Sequence, residues 1–151
     1  MIVTFCGHSD AILTSDEEKR LKKTVLSVLK ETPDADFYLG GYGNFDNLCN
    51  RVLKGFQKDF PLLKRVFVTP YLEPDNAALK AAKDEYDEIL YPFEAKVFPK
   101  YAISKRNLWI IDNSDLVVGY IFRSHGGAAQ TFGYALRKGK QCVNLYKKGE
   151  V

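Results

Sequence analysis

The chain has 151 residues, of which 46% are hydrophobic and 27% charged, with a formal net charge of +3. This length and balance predict one folded domain over residues 1–151 and exclude disordered and collagen-like classes. No apolar run approaches the roughly 18 residues that a membrane span needs, and the first residues lack the features of a signal peptide. We therefore expect a cytoplasmic protein with no membrane partner.

The number of cysteines and the distribution of charge exclude further classes of cofactor and partner. Cys6, Cys49 and Cys142 are odd in number and widely spaced, which predicts neither a disulfide framework nor a zinc site. The densest basic cluster, residues 19–23, follows a run of acidic residues and is typical of a solvated helix face. A duplex DNA binder has sharper clusters of Lys and Arg than this. We predict no metal, no cofactor and no nucleic-acid partner.

Strand and helix signals alternate from the N-terminus. A β-rich run at residues 2–6 predicts the first strand, and a capping box with Ser15 as N-cap and Glu18 at the third position predicts the first helix. That helix has one apolar stripe: Leu21, Val25, Val28 and Leu29. Later strands are predicted at 35–39, 65–69, 88–91, 116–121 and 142–145. Helices are predicted after residue 44 as far as Pro61, and at 75–84, 99–113 and 126–138. The alternation predicts an α/β fold: a three-layer sandwich with a Rossmann-like parallel sheet and helices on both faces.

In such a sheet, ligands bind beyond the carboxyl ends of the strands. Three loops in this position place glycine or small polar residues just before a helix, where free amide groups and the helix dipole attract anions. One glycine-rich turn is weak evidence, but two double-glycine loops favour phosphate or ribose binding over plain tight turns. The candidate ligand-binding residues here are Gly7, His8, Gly40, Gly41, Tyr42, Gly43, Asn44, Arg123, Gly126, Gly127 and Thr131.

Two common nucleotide-binding patterns are missing. The Lys-Ser/Thr pair of a P-loop follows neither Gly43 nor Gly127. The dinucleotide fingerprint fails as well, because Gly7 is the only glycine in the first strand-to-helix turn. ATP hydrolysis and ordinary NAD-dependent hydride transfer are therefore disfavoured.

The helix that begins near Pro99 carries polar residues on its apolar stripe. Arg106 and Asn107 fall between Ile103, Ile110 and Ile111 at helical spacing. Buried polar groups need partners. Two interpretations stay open: these side chains hold backbone carbonyls within the fold, or they reach the crevice and hold a phosphate or ribose.

Candidate acid–base groups lie in the same predicted crevice. His8 and His125 are either surface loop histidines or a pair that exchanges protons near neutral pH. Asp46 either supplies negative charge to a helix N-terminus, or binds ribose hydroxyls or acts as a general base. The catalytic candidates are thus Asp46 and His125. The tyrosines available to stack on a base are Tyr42, Tyr71 and Tyr120.

The residues so far match a known pattern. The stretch 37–46, with Gly40-Gly41-Tyr42-Gly43, resembles the glycine loop of the SLOG superfamily. Three later stretches, in the same order, resemble a small single-domain branch common in Firmicutes and their prophages: residues 101–107, 111–115 and 126–135. The superfamily includes cytokinin-activating phosphoribohydrolases, the DNA-processing protein of transformation and ligand sensors of antiphage systems.

This resemblance implies a Rossmann-like, dimeric protein that binds a nucleotide-derived ligand across its glycine loops. The phosphoribohydrolases carry a Pro-Gly-Gly-x-Gly-Thr-x-x-Glu motif, in which the glutamate is catalytic and a separate arginine assists. Here Leu39 replaces the proline, Asn44 the threonine and Asn47 the glutamate, with Asp46 one residue early. The matching arginine is Arg106. The departures preserve the phosphate cradle and weaken the case for hydrolysis.

Three functions follow from these observations. The first is binding, for sensing or sequestration, of a small ligand of the ADP-ribose or nucleoside-phosphate type in a phage or defence setting. The second is hydrolysis of a nucleotide N-glycosidic bond, with Asp46 as base or oxocarbenium stabiliser. The third is a nucleic-acid-binding or scaffold domain.

Overall fold

The computed structural model describes residues 1–73 and 75–147, and over this part of the chain strands and helices alternate throughout. The strands are β1 (Ile2–Gly7), β2 (Asp36–Leu39), β3 (Lys64–Val68), β4 (Glu88–Leu90), β5 (Leu116–Tyr120) and β6 (Gln141–Asn144). The helices are α1 (Ser15–Glu31), α2 (Asn44–Phe56), α3 (Ala77–Glu85), α4 (Pro99–Asp112) and α5 (Gly127–Arg137). None of these described helices is long and apolar enough to cross a membrane.

The strands form one six-stranded sheet in the order β4-β3-β2-β1-β5-β6, and every neighbouring pair is parallel. The predicted α/β, Rossmann-like fold is confirmed. The chain steps outward from β1 to β4 and then returns to the other side of β1 for β5. The connection direction therefore switches between β1 and β5, which is where a crevice opens in sheets of this kind.

Alternate residues of the strands enter two separate apolar layers. Val3 and Phe5 of β1 join the core built with α1 and α2. Cys6 instead joins a cluster with Ile111 of α4 and Phe132 of α5. This two-residue alternation is why the sheet is covered on both faces, and it makes the three layers that the sequence predicts.

The first helix begins one residue earlier than predicted. Thr14, with extended backbone at φ −103° and ψ −174°, is the N-cap, and its amide donates to Glu17 Oε2 at 2.7 Å. The expected capping box of Ser15 and Glu18 is wrong because Ser15 is already helical. The apolar stripe that follows is confirmed, since all four of its members are buried.

Candidate functional site

A cavity of about 320 Å³ opens beyond the carboxyl ends of β1 and β5, at the switch in connection direction. Four segments contribute to its wall: the end of β1 with residues 8–9, the loop after β2 with Asp46, one face of α4, and the start of α5 with Arg123 before it. The predicted residues that line it are Gly7, His8, Gly40, Tyr42, Asp46, Arg106, Asn107, Arg123, Gly126, Gly127 and Thr131. These residues come from distant parts of the chain, and the sheet order brings them together.

The N-terminus of α5 opens into this cavity. Gly126 is its N-cap at φ +97°, a conformation that favours glycine, and Gly127 is its first residue. A Cβ added at either glycine would meet no atom within 4 Å. The first turn carries no acidic residue. Because the first amides of a helix lack partners within the helix, this end presents partial positive charge to open space.

Arg106 closes one side of the cavity from α4. Its side chain is buried, and Nη1 donates to the Val68 carbonyl at 2.7 Å and to the Gly40 carbonyl at 3.4 Å. Nε donates to Asn107 Oδ1 at 2.9 Å. Burial lowers the pKa of the guanidinium, and the nearby Asp46 carboxylate opposes that shift. Arg106 therefore holds backbone carbonyls, as the first interpretation has it, and it also lines the cavity.

The same helix corrects one detail of the predicted stripe. Ile110 and Ile111 are buried, as is Ala102, but Ile103 is half exposed at the cavity rim.

Asp46 supplies negative charge at the start of α2. Its Oδ2 accepts a hydrogen bond from the Gly41 amide at 2.6 Å, so the carboxylate holds the glycine loop. Burial raises the pKa of Asp46 to about 6, although the loop amides and Arg106 act in the opposite direction. A carboxyl group with this pKa exchanges protons close to neutral pH, which is the property a general acid or base requires.

His8 and Arg123 lie at the junction of the first and last cavity loops. His8 is 2% exposed and packs edge-on against Phe122, with ring centroids 4.5 Å apart. Burial lowers the pKa of His8, and the positive charge of Arg123 lowers it further. Arg123 binds Asp10 through both terminal nitrogens, at 3.0 and 3.2 Å. His8 Nε2 and Arg123 Nε are buried with no hydrogen-bond partner.

Three predicted residues of the glycine loop after β2 do not line this cavity. Gly43 packs against the backbone of Ser9, and Asn44 donates its amide to the Ser9 carbonyl at 2.9 Å and its side chain to the Ala11 carbonyl at 3.1 Å. Gly41 lies on a different cavity, of about 460 Å³, between α2 and α3. Gly43 and Asn44 thus brace the loop after β1.

Three further predicted residues also lie outside the cavity wall. Tyr120 is buried in an aromatic cluster, with Phe45 and Tyr146 at centroid distances of 5.9 and 5.7 Å, so its ring is occupied by the core. Tyr71 is half-buried beyond the end of β3, and His125 is exposed on the loop before α5. Of the predicted stacking residues only Tyr42, 80% exposed at the rim, faces the cavity.

Sequence reasoning missed Ser9 and Ala128 in the wall, and the pairing of Asp10 with Arg123. Ala128 lines the cavity, and its carbonyl accepts a hydrogen bond from Cys6 Sγ at 3.0 Å. The only signal for Asp10 was its position two residues beyond His8, and its partner lies 113 residues away along the chain. Within residues 1–73 and 75–147, no cluster of His, Cys, Asp or Glu side chains could hold a metal ion.

Solved structures share this architecture. DNA processing protein A from Helicobacter pylori, described for its single-stranded DNA binding mode, has a TM-score of 0.61 and 15% identity, covering 94% of this chain and 63% of that one. DNA processing protein A from Streptococcus pneumoniae gives 0.60 and 15%, with coverage of 93% and 48%. The structural-genomics target TM1055 gives 0.56 and 15%, with coverage of 93% and 71%.

These comparisons show the fold alone. The chain spans between about half and two thirds of the length of the two DNA processing proteins. No family profile and no curated protein matches the sequence. The shared architecture is a Rossmann-like α/β fold.

Proposed function

We propose that this protein is a SLOG-type domain that binds a small nucleotide-derived ligand, of the nucleoside-phosphate or ADP-ribose type, in the cavity between β1 and β5. One observation carries the proposal: the unobstructed N-terminus of α5 meets two arginines in a single cavity. Helix amides with a positive dipole end, joined by guanidinium groups, are a general arrangement for phosphate binding.

In this proposal each segment of the wall contacts a different part of the ligand. The amides at Gly126 and Gly127 hold a phosphate, and Arg123 contributes positive charge to the same wall. Arg106 and Asn107 line the inner wall, and Tyr42 at the rim offers an exposed aromatic face to the base. A volume of about 320 Å³ is at the small end of the range of ligand sites, which suits part of a nucleotide with its base toward the rim.

A second candidate function, hydrolysis of an N-glycosidic bond, is favoured by Asp46. Its carboxyl group lines the cavity, has a pKa raised to about 6 by burial, and is close enough to Arg106 for the two charges to interact. Such a group can stabilise an oxocarbenium ion or activate water. The acid in this scheme is His8 or His125. His125 is exposed outside the cavity wall, whereas His8 lines the same cavity as Asp46.

The first experiment is mass spectrometry of what the purified protein retains. The protein is incubated with nucleoside monophosphates, ADP-ribose, cyclic ADP-ribose isomers and cyclic dinucleotides, then desalted and denatured. One intact compound at about one per chain supports binding. Free base with ribose phosphate supports hydrolysis, and in that case the D46N variant should retain the ligand without cleaving it. If nothing is retained or cleaved, the proposal fails.

Nucleic acid is tested in parallel, because one structural neighbour is described as binding single-stranded DNA. Binding to DNA that weakens steeply with added salt, without retention of any small ligand, would favour that function instead. The formal charge of only +3 leads us to expect weak binding of this kind.

A further inference from the structure

The cavity of about 460 Å³ between α2 and α3, called the α2–α3 cavity below, plays no part in the proposed function. The glycine loop, α2, β3 and α3 all contribute to its wall. Gly41 lines it, whereas the neighbouring Gly40 and Tyr42 line the cavity between β1 and β5. The glycine loop therefore separates two cavities, and the volume of this one is within the range of small-molecule sites.

Part of the wall of the α2–α3 cavity is aromatic and apolar. Phe67 of β3 and Tyr86, directly after α3, are stacked with ring centroids 5.2 Å apart and ring planes inclined by 26°. Phe67 is buried and fixed against Gly41, where an added Cβ would collide with its ring. Helix α3 adds three alanines, whose side chains leave the space open. A flat ring from a ligand fits such a surface.

The remaining wall is polar, and its carboxylate already has partners within the protein. Among the described lining residues, Glu85 is the one carboxylate. Glu85 Oε1 accepts from Lys54 Nζ at 2.8 Å and from Asn50 Nδ2 at 2.9 Å. Asn50 Oδ1 in turn accepts from Arg65 Nη1 at 2.8 Å, which holds the network in place. Lys54 and Asn50 keep the pKa of Glu85 below its ordinary value, so this group needs no cation from a ligand.

The same wall has donors and positive charge to spare. Arg51 and Lys54, three residues apart on α2 and so neighbours on its surface, outweigh Glu85 by one positive charge. Arg51 Nη2 faces Glu18 at 3.8 Å, beyond hydrogen-bond distance. No described residue accepts a hydrogen bond from the Tyr86 hydroxyl. Acceptor oxygens with a single negative charge therefore match this wall.

We propose that the α2–α3 cavity is a second binding site, which takes a small aromatic carboxylate. Its ring packs on the side of Phe67 and Tyr86, and its carboxylate is held toward Arg51 and Lys54. A carboxylate neutralises the excess of one positive charge, whereas a phosphate dianion would leave negative charge beside Glu85. The inference does not depend on the proposed function, because the two cavities share only the glycine loop.

The first test titrates the wild-type protein with three probes and follows the backbone amides by NMR. Indole-3-carboxylate has the ring and the charge, indole-3-carboxamide has the ring alone, and cyclohexanecarboxylate has the charge alone. We expect the first to bind about 10-fold more tightly than either of the others. The amide signals of Ala78, Ala81 and Ala82 should move, and those of Gly126 and Gly127 should not.

Each other result of this titration overturns the site. Equal affinity for the carboxamide removes the role of the charge, and equal affinity for cyclohexanecarboxylate removes the role of the aromatic wall. Signals that move only at Gly126 and Gly127 would place the probe in the cavity between β1 and β5. Absence of binding by indole-3-carboxylate would leave the site without its ligand class.

A second test fills the cavity from α3. Ala81→Phe places a ring in the space and should weaken binding of indole-3-carboxylate at least about 10-fold. The matched control is Ala77→Phe, which adds the same side chain to an exposed alanine of α3 that does not line the cavity. It should bind like the wild type. Unchanged affinity in Ala81→Phe, or equal losses in the two variants, would contradict the proposal.

A third test removes one charge and keeps the Glu85 network. Arg51→Gln should weaken binding of indole-3-carboxylate about 5-fold and make the affinity less sensitive to added salt, since Arg51 is exposed and its charge is screened. Lys58→Gln removes the same charge just beyond α2, outside the cavity wall, and should have no such effect. Equal losses would show that only the general charge of the protein attracts the probe.

Failure of this inference differs from failure of the proposed function, because the probes contain neither ribose nor phosphate. If the protein retains a nucleotide-derived ligand and does not bind indole-3-carboxylate, only the second site is overturned. If it binds the carboxylate and retains no nucleotide-derived ligand, the second site stands and the proposed function fails.

Discussion

Two helices of this protein begin with the same backbone conformation and are used differently. Gly43 before α2 has φ +97° and ψ 167°, and Gly126 before α5 has φ +97° and ψ 170°. The start of α2 is closed by its own fold, because Gly43 packs on Ser9 and Asp46 lies in the first turn. The first turn of α5 has no acidic residue. A Cβ added at Gly126 or Gly127 would meet no atom within 4 Å.

The difference teaches that a glycine N-cap alone does not make an anion site. At α2 the Asp46 carboxylate already supplies the negative charge, and it would repel a phosphate. At α5 no negative group of the first turn competes, so the helix end is left for a ligand. Four predictions test this contrast, from the largest expected effect to the smallest.

The largest effect is expected for Gly43→Ala. A side chain at φ +97° costs about 1–3 kcal/mol, and a Cβ 2.7 Å from Ser9 Cα would force a backbone shift of similar cost. The free energy of unfolding in urea should fall by about 4 kcal/mol. Gly126→Ala has the same φ with open space around it, so its loss should be about 2 kcal/mol. Equal losses would contradict the tighter packing assigned to α2.

The second effect concerns the pH dependence of stability through Asp46. Its pKa of about 6 in the folded protein lies above the ordinary value of 3.8, so the folded state binds this proton more tightly than the unfolded state. The contribution is fully present below about pH 4 and is lost as pH rises through 6, by up to about 3 kcal/mol. D46N should remove this loss when unfolding is compared from pH 4 to 7. Parallel curves for the two proteins would show that Asp46 is not buried as described.

The third effect is on ligand binding at α5. Gly127→Ala adds a methyl group at the helix end facing the cavity, where no protein atom lies within 4 Å. We expect about 10-fold weaker binding of ribose 5-phosphate by calorimetry, or about 1.4 kcal/mol, with the thermal midpoint close to that of the wild type. Unchanged affinity would show that the phosphate does not bind at the N-terminus of α5.

The smallest effect belongs to the matched control, Gly55→Ala in α2. Gly55 is also a helical glycine with open space around it, but it does not line the cavity. Alanine there should raise the free energy of unfolding by about 0.5 kcal/mol, because glycine loses more backbone freedom in a helix. Ribose 5-phosphate affinity should not change. If Gly55→Ala lowered the affinity, the weaker binding of Gly127→Ala could not be assigned to a local effect at α5.

Local patterns predicted most of the elements because they depend on neighbours in the chain. The stripe from Leu21 to Leu29 and the proline at the start of α4 both match the structure. The capping box was displaced by one residue, since Thr14 and Ser15 are both acceptable N-caps and only the backbone path decides between them. The sequence could not show which of the two glycine N-caps, before α2 or before α5, is open to an anion. A glycine-rich sequence predicts the turn but not the direction in which the helix start faces.

The sequence by itself determined the alternation of strands and helices, the parallel sheet and the loops in which polar and glycine residues gather. These follow from apolar periodicity and turn chemistry, which act over a few residues. Only the tertiary structure decided that Tyr120 is enclosed in the core, that Asp10 pairs with Arg123, and that His8 lies beside α5. Those outcomes depend on the strand order, which places residues more than a hundred positions apart at the same edge of the sheet.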